Sequence, residues 1–592
     1  MSKTPGRPSA LNRVAISLVL AASMSVAQPQ TAVPRAVSSA SLPALGDNAD
    51  LTTASERRIG DRIAASIYRD PDFVDDPVLV DYVQSIWQPL KHAAQARGEL
   101  SPELDERFAW QFFLLRDRSI NAFALPGGYF GVHLGLIGAV SSRDELAAVL
   151  GHEMSHVTQR HISRLMTQEA RQMPWLVAAM VLGALAASKS PNAASAAIVG
   201  GQALAIQNQL SFSRDMEREA DRIGFGVMTD AGFESRGVTS MFEKLQQASR
   251  LNDNGAFPYL RSHPLNTERI AEAQSRVQLA VSSAAPPSPD AAQNAAQTRM
   301  LHAMMAGRAR LLAAPGVDTQ RMMVAEAQER LAGTPSVSAD AATKTAAEVQ
   351  TVEPTTLKTS ISPASPASPA SPASATRSAA GAAMATTVLP PVVVRDGRDL
   401  VAQQAGALYA GALAAAQLRD FALARSLLAA LQPRLRGNAE AMTAFSLLST
   451  EIDLIQDKVP ASAAITDMSR LQTRAEVLIQ GRALLAAQRP QEVASRLQTW
   501  VADRPQDAAA WQLLSAAYTA QGLSVRAVRA DAESRFAERD YSAALDRFKA
   551  AQGLMRANPA AADYVDGSIL DTRARKTEST IKEHALQDKI DR

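Results

Sequence analysis

The chain has 592 residues, 61 of them basic and 59 acidic, and no cysteine. Such a length implies several domains, and a near-balanced charge gives no footing for nucleic-acid binding. The lack of cysteine excludes a disulfide framework and any lipid attachment at that residue.

Residues 1–27 read as a secretory signal peptide. Lys3, Arg7 and Arg13 precede an apolar run from Val14 to Val26, and Ser25-Val26-Ala27 offers small residues for cleavage near Ala27. The run is short for an uncleaved anchor. Removing those three basic residues leaves 58 against 59 acidic, a net charge of −1. Residues 28–50 read as a flexible polar segment, and 51–280 as the catalytic domain.

An amphipathic helix is expected to start near Thr53, with Ile59, Ile63 and Ile67 on one side. Asp81 to Ala96 reads as a second helix containing Pro89. Phe108–Leu115, Ala122–Leu125 and Tyr129–His133 read as strands around the turn Pro126-Gly127-Gly128, making a small sheet.

The next stretch, Gly151-His152-Glu153-Met154-Ser155-His156, carries the clearest chemistry. Two histidines four apart on a helix suit two adjacent corners of a tetrahedral zinc site, and Glu153 is placed to act as general base. With eight histidines in the chain, a chance match has an expected count of roughly 0.005. The helical context is present: Ser142-Arg143-Asp144-Glu145 reads as a capping box, followed by an apolar stripe of Leu146, Leu150, Met154 and Val157. A half-buried site is expected. Catalytic zinc takes a third protein ligand. Gln159 and Ile162 exclude the metzincin extension, and His161 is out of phase with the pair. Ser213 to Asp221 opens a second amphipathic helix, with Met216, Ala220, Ile223 and Val227 inward and an end near Gly232. Glu217 and Asp221 share one of its faces, suited to ligation and to orienting a ligand histidine, or else to plain solvation.

Between these helices, 174–205 holds two apolar halves separated by Ser188-Lys189-Ser190-Pro191-Asn192. Each is too short to span a bilayer, so the segment reads as a helical hairpin that covers the site or makes peripheral membrane contact. His92, His302 and His584 read as surface or packing residues. Residues 281–332 read as a helical extension with Met300, Met304, Gly307 and Leu311 on one side. From 333 to 395 Ala, Ser, Thr and Pro dominate, a composition unable to bury a core, and this interval is expected to be a disordered linker. In 396–592, helical spacings at Phe421/Ala424/Leu428/Leu431, Trp511/Leu514/Tyr518/Ala527 and Tyr541/Ala544/Phe548/Ala551 suit a degenerate tetratricopeptide-like solenoid, whose concave surface would bind protein.

Asn121 to Tyr129, His152-Glu153-x-x-His156, Ser213-Arg214-x-x-Glu217-x-x-Ala220-Asp221 and Ser262-His263-Pro264-Leu265, in this order, resemble the membrane- and envelope-associated zinc metallopeptidases that include the CAAX prenyl proteases, in particular their repeat-bearing periplasmic branch. The resemblance covers about 50–280. It implies Glu217 as third zinc ligand, Asp221 as an active-site acid, and His263 at the site, either as a fourth ligand or as an oxyanion donor. The fold expected is mainly α with a small β-sheet beside the zinc helix, gluzincin-like, followed by an all-α solenoid. The function expected is a periplasmic endopeptidase with one zinc per chain, acting on unfolded or misassembled envelope proteins beside the outer-membrane barrel assembly machinery. The competing expectation is a chaperone or scaffold with a mostly latent zinc site.

Overall fold

Thr52 and Asp76 set the first two helices by accepting backbone N–H groups through their side chains. Helix α1 spans Thr53–Ile67, and α2 spans Pro77–Ala96 with Pro77 in its first turn and Pro89 inside. The computed structural model describes residues 51–167, 214–251, 259, 263–283, 289–332, 397–557 and 564–590. The expected signal peptide, the 174–205 hairpin and the 333–395 linker lie outside these residues.

Strand β1 (Phe73–Val74) precedes α2. After α3 (Pro102–Arg107) come β2 (Gln111–Leu115), β3 (Ala122–Leu125) and β4 (Tyr129–His133). The sheet order is β1-β2-β4-β3, with β2 parallel to β4 and β3 antiparallel to it. β3 is therefore an edge strand. β2 begins later than the aromatic run suggests, because Phe108 closes α3 and Trp110 takes a positive φ of 48°.

Helices α4 (Leu134–Ala139) and α5 (Arg143–Thr158) follow the sheet. Ser142 Oγ accepts the Glu145 N–H at 3.2 Å, whereas the Glu145 carboxylate reaches back to the Ser141 N–H at 2.7 Å, one residue earlier than a capping box requires. Leu146, Leu150, Met154 and Val157 are all buried, and so is most of the remaining surface of α5, so the site is more enclosed than its stripe predicts. Helix α6 covers 161–167 and α7 covers 214–230, ending at Gly232 with φ +86°. α8 (Arg236–Leu251) packs on α5, and α9 (Thr267–Ser283) packs on α8.

Helix α10 (Pro289–Ala313) is the spine joining the two halves. It packs on α4 and on helix α12 (Gly397–Gln417), with α11 (Val317–Ala332) between them in sequence. A Cβ on Gly406 would lie 2.5 Å from Ala303 O, and one on Gly307 would lie 2.8 Å from Gly406 O, so the two backbones cross at contact distance. The helices α13 (Phe421–Leu431), α14 (Ala439–Ile455), α15 (Arg474–Ala486), α16 (Pro490–Asp503), α17 (Ala508–Ala520), α18 (Ser524–Ala537), α19 (Tyr541–Ala557) and α20 (Tyr564–Ile590) continue the all-α part. One apolar core runs from Val74 through α5, α10 and α12 to Ile479. Two further clusters fill α15–α18 and α18–α20.

Buried charge reinforces this junction. Arg308 on α10 pairs with Asp76 at 2.7 Å and Glu451 on α14 at 2.7 Å. Arg474 pairs with Asp75 and Asp507, and the Ala475 N–H donates to Asp81 at 2.6 Å. Among the described residues, no helix is long and apolar enough to cross a membrane.

Candidate metal centre

Helices α5 and α7 cross where each has a glycine. A Cβ on Gly224 would meet the His152 backbone nitrogen at 2.9 Å and Gly151 O at 3.0 Å. This close approach puts Glu217 and Asp221 of α7 against the two histidines of α5. His263 reaches the same point from the segment before α9, its backbone N–H donating to Tyr259 O at 2.8 Å and its ring 4.7 Å from the Tyr259 ring.

His152, His156, Glu217 and His263 each offer one ligand atom within 4.8 Å of all the others, and all four are buried. Glu217 lies 3.4 Å from Nε2 of both His152 and His156, and 2.9 Å from His263 Nδ1. Glu153 is beside this group, with Oε1 3.4 Å from His263 Nε2. Asp221 faces the other side of His152, Oδ1 lying 3.0 Å from Nδ1. The six residues singled out in the sequence are thus brought together.

The donor set fits a cation. Two imidazole Nε2 atoms and a carboxylate facing one point match the ligands of tetrahedral zinc. Both carboxylate oxygens of Glu153 are buried without a hydrogen-bond partner, an arrangement that costs free energy unless something binds there.

Electrostatics divide the carboxylates. Burial works against ionisation of Glu217, but His263, His152 and His156 outweigh it and hold the group well below the usual carboxylate range. Burial also opposes ionisation of Asp221, and the Arg269 and His152 side chains overcome it, lowering the group to about 2. Glu153 behaves oppositely, since burial pushes it up and the nearby His263 and His152 compensate only in part. For His156, burial dominates and lowers the ring to about 3, so it is neutral.

Sequence reasoning missed two partners. Arg269, on α9 and buried, makes two hydrogen bonds to Asp221, at 2.6 and 2.8 Å, and one to Pro264 O at 2.8 Å. Its Nη1 is also 2.9 Å from Glu217 Oε2. The other is His161. Helix α5 stops at Thr158, Arg160 takes a left-handed φ of 54°, and the chain restarts as α6 with His161 turned beneath His156. Their Nδ1 atoms are 2.9 Å apart. A left-handed arginine costs on the order of 1–3 kcal/mol. Here it is held by Glu56, 3.2 Å from its guanidinium, and by the Leu51 carbonyl. The spacing of five residues hid this contact, which needs the helix to break.

A helix-borne histidine pair, a glutamate from a second helix and an adjoining carboxylate define a metallopeptidase domain. Residues 82–277, which hold all of these groups, match Peptidase family M48. The Beta-barrel assembly-enhancing protease of Escherichia coli K12 is 33% identical over 259 residues, 43% of this chain and 51% of that one. A Vibrio cholerae relative whose name also refers to β-barrel assembly is 35% identical over 237 residues, 40% and 47% of the two chains. The Mitochondrial metalloendopeptidase OMA1 of Arabidopsis thaliana is 30% identical over 195 residues, 33% and 36%. The chain spans about half the length of the bacterial relatives it matches.

Proposed function

We propose that this protein is a zinc-dependent endopeptidase of the periplasm, with one ion per chain, that hydrolyses misfolded or stalled envelope proteins. The observation that carries this reading is the convergence of His152, His156, Glu217 and His263 beside the buried Glu153 carboxylate. His152, His156 and Glu217 would hold the ion, which when bound supplies a Lewis acid that acidifies water towards a pKa of about 7 and polarises a carbonyl.

The chain's own groups do the rest. Glu153 accepts the proton of the attacking water and returns it to the departing amine nitrogen. Asp221 accepts the Nδ1–H of His152, which leaves Nε2 aimed at the ligand cluster. His263 donates to the carbonyl oxygen as that atom gains negative charge. β3 is an edge strand and packs against α5, so an extended peptide adding to it would lie alongside the histidines, held by backbone hydrogen bonds with little sequence preference.

Location and substrates rest on the leader at 1–27, on the repeat helices as a protein-binding surface, and on relatives whose name refers to β-barrel assembly. The assembly machinery itself is the partner this reading names. The test compares degradation of an unfolded outer-membrane barrel protein by residues 28–592 and by the Glu153→Gln variant at matched zinc content. Cleavage by the first alone is the expected result, and equal cleavage by both would remove Glu153 as base.

One observation favours a second reading. His263 sits inside the ligand group and faces both Glu217 and Glu153, as a fourth ligand would in a latent site of a chaperone or scaffold. In that case Glu153→Gln leaves envelope function intact and deletion of the repeats abolishes it.

A further inference from the structure

Both histidines of α5 that face the ligand cluster have a partner on their far side, and the two partners differ. His152 Nδ1 meets a carboxylate directly, Asp221 at 3.0 Å. His156 Nδ1 meets His161 Nδ1 at 2.9 Å, and the far nitrogen of His161, Nε2, lies 3.0 Å from Glu219 Oε2. His161 is 2% exposed, and Glu219 also pairs with Arg164 at 3.0 Å.

The hydrogen-bond polarity of this chain can be worked out. A carboxylate accepts only, so His161 Nε2 carries the proton that goes to Glu219. A neutral His161 then has a lone pair on Nδ1, which accepts the Nδ1–H of His156. That leaves the Nε2 lone pair of His156 pointing at the ligand group, the same tautomer that Asp221 imposes on His152.

We propose that His161 and Glu219 form a positioning relay that fixes the tautomer and ring orientation of His156 for metal binding. The inference rests on the reading of His152, His156 and Glu217 as ligands. The fold supplies an argument independent of the distances. Continued as a regular helix, α5 would carry His161 to a different face from His156. The chain instead breaks at Arg160 in a left-handed conformation clamped by Glu56 and the Leu51 carbonyl. The break is what turns His161 back under His156. Glu219, two residues after Glu217 on α7, takes no part in the ligand cluster and reaches His156 through His161.

The test measures zinc affinity by chelator competition on the full chain and on His161→Leu, His161→Asn, Glu219→Gln and His156→Ala, with thermal unfolding of each metal-depleted protein alongside. Outer partners of ligand histidines are typically worth 10–100-fold in affinity. His161→Leu, which keeps bulk but cannot accept, should weaken zinc binding by about that factor. His161→Asn, whose amide oxygen can accept the His156 Nδ1–H, should restore most of it. Glu219→Gln should lie between. In the zinc-loaded protein, long-range proton–nitrogen NMR of the His156 ring should report Nδ1–H, broadened or shifted in His161→Leu. Wild-type affinity in His161→Leu, or equal weakening by Leu and Asn, would overturn the relay, the second result indicating packing alone. If His161→Leu does not fold, Glu219→Gln decides, with unchanged affinity and an unchanged His156 signal overturning the proposal. His156→Ala separates the two levels: no loss of affinity there would sink the ligand assignment itself, and with it the relay.

Discussion

Gly224 of α7 lies against the backbone of His152: a Cβ placed on it would come within 2.9 Å of the His152 nitrogen. The atoms it meets are main chain, which no rotamer change can move. Gly224→Ala should therefore push α7 away from α5, lowering stability by about 1–3 kcal/mol as overpacked cores do, and it should separate Glu217 from the histidine pair. Denaturant unfolding and zinc affinity measured together check this. A variant as stable and as tightly binding as the parent would show that the helices have room to spare.

Arg269 carries the charge balance of the same region. It is buried and faces two carboxylates, the buried Glu217 and the partly buried Asp221. Removing one partner of a buried charged group costs about 3–5 kcal/mol, so Arg269→Met should lower the stability of the metal-depleted protein by that order. The loss should shrink when zinc is added, because the cation supplies part of the missing positive charge. A loss that zinc leaves unchanged would mean that Arg269 acts on the Pro264 carbonyl rather than on the carboxylates.

Much of this arrangement was readable before any fold was known, and the reasons are local. Strands Ala122–Leu125 and Tyr129–His133 have the bounds that their composition suggests, and His152, His156, Glu217 and His263 stand out by spacing and motif. Helix α2 begins at Pro77 rather than Asp81, although Asp76 followed by proline is a start signal. Arg269 and His161 were not readable. The first acts on residues 48 positions away, and the second depends on a single left-handed residue that no periodicity reveals. The junction with the C-terminal helices was equally hidden, since Arg474 and Asp75 are 399 positions apart.

His302 makes stability depend on pH. It sits on α10, its Nε2 donating to Val140 O at 2.9 Å and its Nδ1 2.5 Å from the Tyr82 hydroxyl, which donates to it. Burial lowers the ring to about 4, from an ordinary value of 6.5. The unfolded chain therefore takes up a proton at higher pH than the folded one. The stability that neutral His302 contributes is complete above about pH 6.5 and is lost as the pH falls towards 4. At 1.36 kcal/mol per pH unit, this amounts to roughly 3 kcal/mol over the interval. Urea unfolding at pH 7.5 and pH 4.5 should show a smaller difference for His302→Gln than for the parent, by about 2–3 kcal/mol. Equal differences would assign the pH response to other groups.

Helices α12–α15 share one core with the half that carries the ligand cluster, because the largest apolar cluster passes through α10 into α12–α15 without interruption. Arg308 sits in this junction, buried between Asp76 beside the sheet and Glu451 on α14. Ending the chain at Ala332 would uncover the α10 face that carries Gly307 and would leave Arg308 without one of its two carboxylates. Residues 28–332 alone should therefore lose cooperative thermal unfolding and bind zinc weakly, since α10 also braces α4 just before the helix that carries His152 and His156. The opposite cut discriminates between lost covalent continuity and lost packing. If the full chain is severed near Ser365 with both pieces kept, the pieces should co-elute in size-exclusion chromatography and retain the parent's zinc affinity, because what joins them is the shared core and its buried ion pairs. Pieces that separate in plain buffer would show that the covalent connection, and not the packed interface, holds the peptidase half in shape.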